Sequence, residues 1–384
     1  MIDVSKLYCG VDGASDHLRY EKKDKGQRRP VIVWNVTKSC NLNCIHCYAN
    51  AQTKAYKDAI DTDKAKSIID DLADFNIPVI LFSGGEPLLR KDIVELISYA
   101  VKKGIRAVLS TNGTLIDQDT AKRLKDAGLS YAGISLDGLE KINDSFRGIK
   151  GAFKKALQGI QNCKKAGIKA GIRFTISRLN AEEVPKMFDL AREEGIDRLC
   201  FYHLVYSGRG SSLIKEDLSH DETRRIMDLI IDRTKELYET GIKTQVLTVD
   251  NHADGPYIYL RMLKEANPRA EEVLRLLKIN GGNSSAEGIG CISWSGDVYA
   301  DQFWRHYSFG NVLKRPFSKI WTDLSDPLMA KLRQKKRYLK GRCARCRWLD
   351  ICAGNLRVRA EAVTGDIWAP DPACYLTDEE IGLC

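Results

Sequence analysis

Short apolar runs alternate with amphipathic stretches through the first two thirds of the chain. The runs, rich in β-branched and aliphatic residues, begin near Val31, Pro78, Ile105, Tyr131, Ala170 and Arg198. The amphipathic stretches lie near residues 62–75, 91–103, 117–127, 151–166, 181–195 and 220–240. Six strand-then-helix units predict an α/β fold with a parallel sheet, because right-handed crossovers wind such units into a barrel or an open doubly wound sheet.

The two ends of the chain lack this alternation. Residues 1–30, with the polar run Glu21–Arg29, are interpreted as an N-terminal extension to a domain spanning residues 31–241. From residue 242 to 384 the pattern predicts a second region, with a helix near 258–279 and a hairpin turn at Ser295-Gly296-Asp297.

Polar groups follow several of the predicted strands. Ser83-Gly84-Gly85-Glu86-Pro87 follows the second strand, Ser110-Thr111-Asn112-Gly113 the third, and Ile134-Ser135-Leu136-Asp137-Gly138 the fourth. Arg173 and His203 lie in the fifth and sixth runs. Each segment alone is an ordinary turn former, but together they favour a barrel-type arrangement, in which loops at one rim build the site.

Three thiols lie on the loop after the first strand, at Cys40, Cys44 and Cys47. A cubane iron-sulfur cluster takes four thiolates when fully ligated, so C-x3-C-x2-C leaves one iron open for another ligand. The alternative is a structural zinc site closed by His46, but zinc motifs usually pair their ligands across a longer gap.

A second set of thiols near the C-terminus has the spacing Cys343-x2-Cys346-x5-Cys352-x21-Cys374. Four thiols can close an auxiliary four-iron cluster completely, and a four-cysteine zinc ribbon is the alternative. Cys163 and Cys200 are interpreted as core residues and Cys291 as a buried thiol, whereas Cys9 carries no assignment.

Composition narrows the class of protein. The chain has 384 residues, 43% of them hydrophobic, and no apolar run long enough to span a membrane, so we expect a cytoplasmic globular protein. Its 12 cysteines favour metal ligation over disulfides. The formal charge of +9 suits an anionic small molecule, and no aromatic-interleaved basic stripe indicates nucleic acid.

The C-x3-C-x2-C loop and the rim segments resemble the radical S-adenosylmethionine (radical SAM) enzymes over roughly residues 30–205. The resemblance implies a partial (β/α)6 barrel, with Cys40, Cys44 and Cys47 on a [4Fe-4S] cluster whose open iron binds S-adenosylmethionine. It also implies a C-terminal SPASM- or twitch-like extension with one auxiliary [4Fe-4S] cluster on Cys343, Cys346, Cys352 and Cys374. The implied contacts to S-adenosylmethionine are Gly84, Gly85, Glu86, Ser110, Asn112, Ser135, Asp137 and Arg173.

Residues 301–311, 355–360 and 365–376 narrow the resemblance to the radical SAM enzymes of alternative haem and haem d1 biosynthesis. Lys6-Leu7-Tyr8-Cys9-Gly10 and the Cys343 region are most similar to members that act on 12,18-didecarboxysirohaem. The implied reaction removes two acetate side chains and gives iron-coproporphyrin III; close relatives remove propionates instead. The implied partners are the iron tetrapyrrole and an electron donor such as flavodoxin or ferredoxin.

Substrate contacts are predicted from chemistry. Arginines can clamp the tetrapyrrole carboxylates, and the candidates are Arg147, Arg173, Arg305, Arg357 and Arg359. His306, among Phe303, Trp304, Tyr307 and Phe309, is predicted as an axial ligand of the substrate iron, with an ordinary hydrogen-bonded histidine as the alternative.

Two other classes of protein remain open. A peptide-modifying radical SAM enzyme would normally carry an added domain for leader-peptide recognition, and residues 1–30 do not resemble one. A non-catalytic iron-sulfur electron carrier would have no use for Gly84-Gly85-Glu86.

Overall fold

One ten-stranded sheet runs through the computed structural model, which describes residues 1–21, 29–54, 56 and 60–383. Its strands are β1 (Ile2–Asp3), β2 (Val31–Asn35), β3 (Val79–Ser83), β4 (Arg106–Thr111), β5 (Tyr131–Ser135), β6 (Lys169–Ile176), β7 (Arg198–His203), β8 (Gln245–Val249), β9 (Ile289–Ile292) and β10 (Val298–Tyr299). Their order is β1-β8-β7-β6-β5-β4-β3-β2-β9-β10. Strands β9 and β2 to β8 are parallel, and the edge strands β1 and β10 are antiparallel to their neighbours.

Helices connect the strands and build the C-terminal region. Those of the first two thirds are α1 (Val4–Cys9), α2 (His17–Tyr20), α3 (Thr62–Asp74), α4 (Ile93–Lys102), α5 (Gln118–Asp126), α6 (Glu140–Arg147), α7 (Ala152–Lys165), α8 (Val184–Glu194) and α9 (His220–Glu239). The rest are α10 (Asp254–Lys264), α11 (Ala270–Asn280), α12 (Phe317–Thr322), α13 (Pro327–Arg333), α14 (Gly341–Ala344), α15 (Leu349–Cys352), α16 (Arg357–Thr364) and α17 (Asp378–Ile381). Short 3-10 helices span Pro87–Leu89, Ala181–Glu183, Gly208–Glu216 and Lys335–Arg337.

The six predicted strand-then-helix units are confirmed as β2-α3, β3-α4, β4-α5, β5-α7, β6-α8 and β7-α9. Local sequence explains where these helices begin. At the start of α9, for example, Ser219 and Glu222 form a capping box, in which each side chain accepts a hydrogen bond from the other residue's backbone N–H.

The sequence analysis missed β8, the strand that follows α9. All five of its residues are buried, yet it contains the polar residues Gln245 and Thr248 and therefore lacks a purely apolar pattern. The Gln245 side chain accepts a hydrogen bond from Arg198 Nε at 2.8 Å, so a neighbouring strand satisfies it. Only tertiary pairing makes this segment a strand.

The N-terminal segment joins the same sheet, because β1 pairs with β8 and places Ile2, Val4 and Leu7 in the core. Most of the polar run Glu21–Arg29, residues 22–28, lies outside the described residues. The division into 1–30, 31–241 and 242–384 stays a prediction. Strand β1, from the first segment, and strand β8, from the third, belong to the same sheet as the strands of the second.

The C-terminal third departs from the prediction at one point. The single helix expected over 258–279 is two helices, α10 and α11, separated by Ala266 at a φ of +50° and by Asn267 and Pro268. Proline at this position cannot donate the backbone hydrogen bond that a continuous helix needs. The predicted hairpin is confirmed as β9 and β10, with Gly296 at a φ of +93° in the turn.

The two faces of the sheet have different surroundings. Outward residues such as Ile80, Leu109 and Phe174 are fully buried in the main hydrophobic core. Inward residues such as Leu81 and Val108 line a cavity. In the described part of the chain, no helix has both the length and the apolar character needed to cross a membrane.

Candidate active site

Cys40, Cys44 and Cys47 lie on the loop that leaves the carboxyl end of β2, and all three line one cavity of about 150 Å³. Hydrogen bonds to other segments fix the loop's main chain. Cys40 N–H donates to the Gln52 carbonyl at 3.0 Å, and Ile45 N–H donates to the Phe146 carbonyl at 3.0 Å. The thiols are therefore held in place by the surrounding fold.

Two arginines brace the same loop. Arg209 Nε donates to the Cys44 carbonyl at 2.7 Å and its Nη1 to the Ala51 carbonyl at 2.9 Å. Arg147 Nη1 lies 3.6 Å from Cys44 Sγ. Burial raises the pKa of the Cys40 thiol to about 12, so a thiolate here needs positive charge beside it, which cluster iron would supply.

Gly84 and Gly85 line the cavity next to these thiols. Gly85 N–H donates to the Thr37 carbonyl at 2.8 Å, so the segment packs directly against the start of the thiol loop. A Cβ at Gly84 would lie 2.4 Å from Thr37 O, and one at Gly85 would lie 2.1 Å from Ser39 O. Only glycine permits this approach of two backbones.

Glu86 is fully buried and is not among the residues that line the cavity. Its carboxylate accepts hydrogen bonds from Thr111 Oγ1 at 2.7 Å, Asn112 N–H at 2.8 Å and Leu88 N–H at 3.1 Å. Burial raises its pKa to about 7. In this structure Glu86 ties β3 to β4, and its contact with S-adenosylmethionine stays a prediction.

Asp137 is also fully buried and likewise is not among the cavity-lining residues. It forms an ion pair with Arg147, lies 3.4 Å from His46 Nε2, and accepts a hydrogen bond from Thr175 N–H at 2.8 Å. Asp137 therefore positions Arg147 and, through it, Cys44. Burial lowers the pKa of His46 to about 4.

The other predicted cofactor contacts, Ser110, Asn112, Ser135 and Arg173, line the cavity together with the thiols. Arg173 Nη1 donates to Ser110 Oγ at 2.8 Å, and its guanidinium lies 4.8 Å from the centre of the Tyr202 ring. The carboxyl ends of β4, β5 and β6 thus bring these side chains to one rim, as the sequence predicts.

His203, at the end of β7, lines the same cavity. Its Nε2 lies 3.0 Å from Asp254 Oδ2, and the other oxygen of Asp254 accepts a hydrogen bond from Tyr375 at 2.7 Å. Because Tyr375 follows Cys374 in the chain, this buried chain of contacts joins the cavity to the second cysteine set.

The second set comprises Cys343 on α14, Cys346 on the loop after it, Cys352 on α15, and Cys374 on the loop between α16 and α17. Burial raises the pKa of Cys352 well above its usual value, and the nearby thiols of Cys374, Cys343 and Cys346 add to this shift. The other three thiols therefore lie near Cys352, although none of the four lines the cavity.

Three thiols and four thiols are the donor sets that [4Fe-4S] clusters take, the first with one iron left open. A cubane binds each thiolate to a different iron, so its ligands lie further apart than those of one zinc ion.

Most of the arginines predicted to clamp the substrate have other partners. Arg357 donates to the carbonyls of Ile367 and Ala369, and Arg359 forms a fully buried ion pair with Asp371 at 2.8 Å. Arg305 lies over the Trp294 ring at 4.6 Å. Only Arg147 and Arg173 of the five line the cavity, and Arg147 is paired with Asp137.

His306 is not brought to the cavity. Its side chain is 58% exposed, and its Nε2 lies 2.9 Å from Trp304 Nε1 and 3.1 Å from Glu361. Its predicted role as an axial ligand stays a prediction.

The remaining cysteines lie mostly in the interior. Cys163 and Cys291 are fully buried, and Cys200 is 4% exposed and faces the interior of the barrel. Asn35 Nδ2 lies 3.6 Å from Cys291 Sγ. Cys9 is half-buried, and burial raises its pKa to about 11.

The sequence analysis missed Arg106 and Arg198, which lie on the inward face of the sheet. Arg106 is four residues before Ser110 on β4, and Arg198 is four residues before Tyr202 on β7. Even spacing along a strand puts each pair on one face, which was the available signal.

Residues 34–191 match the radical SAM superfamily, and residues 287–347 match an iron-sulfur cluster-binding domain. The Fe-coproporphyrin III synthase of Methanosarcina barkeri (strain Fusaro / DSM 804) is 59% identical over 395 aligned positions, which cover 100% of this chain and 99% of that protein. The chain belongs to the radical SAM superfamily. Its cofactors are therefore S-adenosylmethionine and a [4Fe-4S] cluster, with an auxiliary iron-sulfur cluster in the C-terminal domain.

One further relative and one solved structure are similar to this chain. The pre-heme d1 synthase of Dinoroseobacter shibae (strain DSM 16493 / NCIMB 14021 / DFL 12) is 42% identical over 366 positions, covering 93% of this chain and 89% of that protein. The crystal structure of Streptococcus suis SuiB bound to S-adenosylmethionine superposes with a TM-score of 0.70, at 19% identity, over 90% of this chain and 77% of that one. The latter likeness concerns the fold alone.

Proposed function

We propose that this radical SAM enzyme removes the two acetate side chains of 12,18-didecarboxysirohaem and gives iron-coproporphyrin III. The observation that carries the proposal is the 59% identity, over the whole chain, to a protein named Fe-coproporphyrin III synthase. The cavity combines thiols with polar rim groups, and the interior of the sheet beside it adds apolar side chains such as Val108.

In this proposal Cys40, Cys44 and Cys47 hold the cluster that binds S-adenosylmethionine, and Cys343, Cys346, Cys352 and Cys374 hold the auxiliary cluster. The first assignment is supported because three thiols line the cavity and leave one iron without a cysteine ligand. The second is supported because four neighbouring thiols lie outside the cavity. The bound cofactors supply a 5′-deoxyadenosyl radical.

The chain's own residues position the reactants. Gly84 and Gly85 bring backbone groups to the cavity, and Ser110, Asn112, Ser135 and Arg173 present polar side chains at the same rim. Glu86 and Asp137 act in this structure through the residues that they hold. Phe303 and Tyr202 add aromatic rings to the cavity walls.

We further propose a small electron-transfer protein, such as flavodoxin or ferredoxin, as the electron donor, and a cytoplasmic location. Reductive cleavage of S-adenosylmethionine at a cluster requires a low-potential electron, which both classes of protein supply.

The test is anaerobic incubation of the reconstituted protein with didecarboxysirohaem, S-adenosylmethionine and dithionite, followed by mass spectrometry of the tetrapyrrole. We expect loss of both acetates and the absorption spectrum of iron-coproporphyrin III. A matched Cys163→Ala variant, altered at a buried cysteine away from the cavity, should behave like the wild type. A tetrapyrrole of unchanged mass would contradict the proposal.

A second candidate reaction is removal of propionate side chains, favoured by the 42% identity to pre-heme d1 synthase. The same mass measurement separates the two reactions, because a lost propionate carries one more methylene group than a lost acetate.

A further inference from the structure

The amino ends of the parallel strands carry unusual residues. The inward side chains at the first positions of β2, β3, β4, β5 and β7 are Val31, Val79, Arg106, Tyr131 and Arg198. In barrels of parallel strands the interior is usually filled by bulky branched residues. Here two arginines and a tyrosine face a cavity of about 310 Å³ instead.

Arg19, on α2, adds a third guanidinium to this layer, which we call the arginine floor (Arg19, Arg106 and Arg198). Ser15 bridges two of its members, since its Oγ accepts from Arg19 Nη1 at 3.2 Å and from Arg198 Nη2 at 3.1 Å. All three arginines line the cavity. Burial, and then the repulsion of Arg198 and Arg19, lowers the pKa of Arg106.

Negative charge at the arginine floor is scarce. The ion pair found there joins Arg19 Nη2 to Asp3 Oδ2 at 3.8 Å, which is too long for a strong hydrogen bond. Burial raises the pKa of Asp3 to about 7, so this carboxyl is only partly ionised near neutral pH. Arg106 and Arg198 donate through their Nε atoms to neutral groups, Ser130 Oγ and Gln245 Oε1.

Two further polar atoms at the floor have no partner within the described chain. The Tyr131 hydroxyl and Arg19 Nε are buried and make no hydrogen bond among the described residues. Gly171 leaves the room for that hydroxyl, because a Cβ there would lie 2.2 Å from it. Buried donors without a partner and cations without a close anion are costly, and an anionic ligand at this layer would offset both costs.

The floor and the cofactor rim are opposite ends of one continuous space. Val33, Leu81, Arg173, Tyr202 and Phe303 line both the floor cavity and the thiol cavity. From Arg106 to Ser110 the strand rises about 13 Å at 3.3 Å per residue. The walls between include the apolar side chains of Val108 and Val249, and they also carry the carboxyl groups of Asp250 and Asp301.

We propose that Arg19, Arg106 and Arg198 bind the carboxylates on the tetrapyrrole edge opposite the side chain being removed. This inference rests on the proposed function. Guanidinium groups pair with carboxylates through charged hydrogen bonds. The floor thereby selects tetrapyrroles that carry free acids on the far edge and sets how deeply the macrocycle enters.

The test is a visible-absorption titration of the reconstituted holoenzyme with iron-coproporphyrin III and, separately, with its tetramethyl ester. We expect the wild type to bind the free acid at least about ten-fold more tightly than the ester, as for one or more charged hydrogen bonds. Arg106→Gln and Arg198→Gln should each weaken free-acid binding about ten-fold and leave ester binding unchanged. Arg106→Lys, which keeps the charge, should lose less than Arg106→Gln.

The control is Arg275→Gln, an exposed position on α11 outside both cavities, which should change neither titration. Unchanged free-acid binding in both glutamine variants would overturn the floor proposal, and so would an equal loss for acid and ester. The latter result would indicate a merely structural role.

A parallel turnover assay separates this inference from the proposed function. If the wild type converts didecarboxysirohaem but the floor variants bind the free acid as tightly as the wild type does, only the floor proposal is overturned. Floor-dependent binding of the free acid without any conversion would overturn the proposed function alone. A wild type that binds no free-acid tetrapyrrole and converts no didecarboxysirohaem would overturn both.

Discussion

The two cysteine sets of this chain differ in the number of their thiols and in the residues that surround them. Cys40, Cys44 and Cys47 face the cavity, next to the backbone of Gly84 and Gly85. Cys343, Cys346, Cys352 and Cys374 are not among the cavity-lining residues and lie in the helical C-terminal region.

The difference indicates that the two cysteine sets have different roles. Three thiols at a cavity leave one iron free to bind a reactant, whereas four thiols away from it can complete a cluster whose role is electron transfer or structure. The contacts of His203, Asp254 and Tyr375 run between the two regions and end beside Cys374. The comparison therefore predicts that the first set is required for radical formation and the second only for turnover of the tetrapyrrole.

The largest effect is expected at the cavity set. Replacing Cys40, Cys44 and Cys47 together by Ala should abolish deoxyadenosine formation from S-adenosylmethionine, because no adjacent side chain replaces a thiolate ligand. Chromatography of the reaction mixture measures this directly. Retained cleavage in the triple variant would contradict the assignment of these thiols.

The second set should behave differently. Cys343→Ala with Cys346→Ala should lower iron from about eight to about four atoms per chain, as for the loss of one of two cubanes. Cleavage of S-adenosylmethionine without substrate should survive, and iron-coproporphyrin III should no longer form. Stoichiometric zinc in the anaerobically purified wild type would show instead that this set is a zinc site.

A smaller effect should follow from crowding the cavity loop. Gly85→Ala places a Cβ 2.1 Å from the Ser39 carbonyl, so the two backbones must separate. We expect about 1–3 kcal/mol lower stability in denaturant titrations and weaker binding of S-adenosylmethionine. Gly104→Ala is the control: among the described residues, no atom beyond its two chain neighbours lies within 4 Å of the added Cβ, although its φ of +83° carries strain. Equal losses of cofactor binding in both variants would contradict the packing argument.

The smallest effect is expected at His306, which is exposed in this structure. If it ligates the substrate iron, His306→Ala should change the visible spectrum of the bound tetrapyrrole and weaken its binding, with both clusters intact. An unchanged spectrum would exclude the axial role and direct the same measurement to His203, which lines the cavity.

Local pattern was sufficient for much of the framework. The strands β2 to β7 and the helices after them follow from apolar runs and amphipathic periods, and the hairpin turn follows from Ser295-Gly296-Asp297. Local pattern did not predict β8, because the polar residues Gln245 and Thr248 interrupt the apolar run of this buried strand. It also did not predict that the expected helix ends before Pro268 and that a second helix follows.

Part of the site was also predictable from the sequence. Cys40, Cys44, Cys47 and the rim positions Ser110, Asn112 and Ser135 come together because parallel strands end at one edge of the sheet. The sequence could not show which groups hold Glu86 and Asp137, because their partners Asn112 and Arg147 are 26 and 10 residues away in the chain.

The sequence by itself determined the order of β2 to β7 and of the helices that follow them, the spacing of the thiols, and which residues share a face of a strand. The tertiary structure decided which face is the interior. Arg106 and Arg198 are ordinary charged residues in the sequence, and they become a floor only when β4, β5 and β7 curve around one cavity and α2 adds Arg19. The physical reason is that strand alternation fixes relative directions, whereas burial depends on contacts between segments distant in the chain.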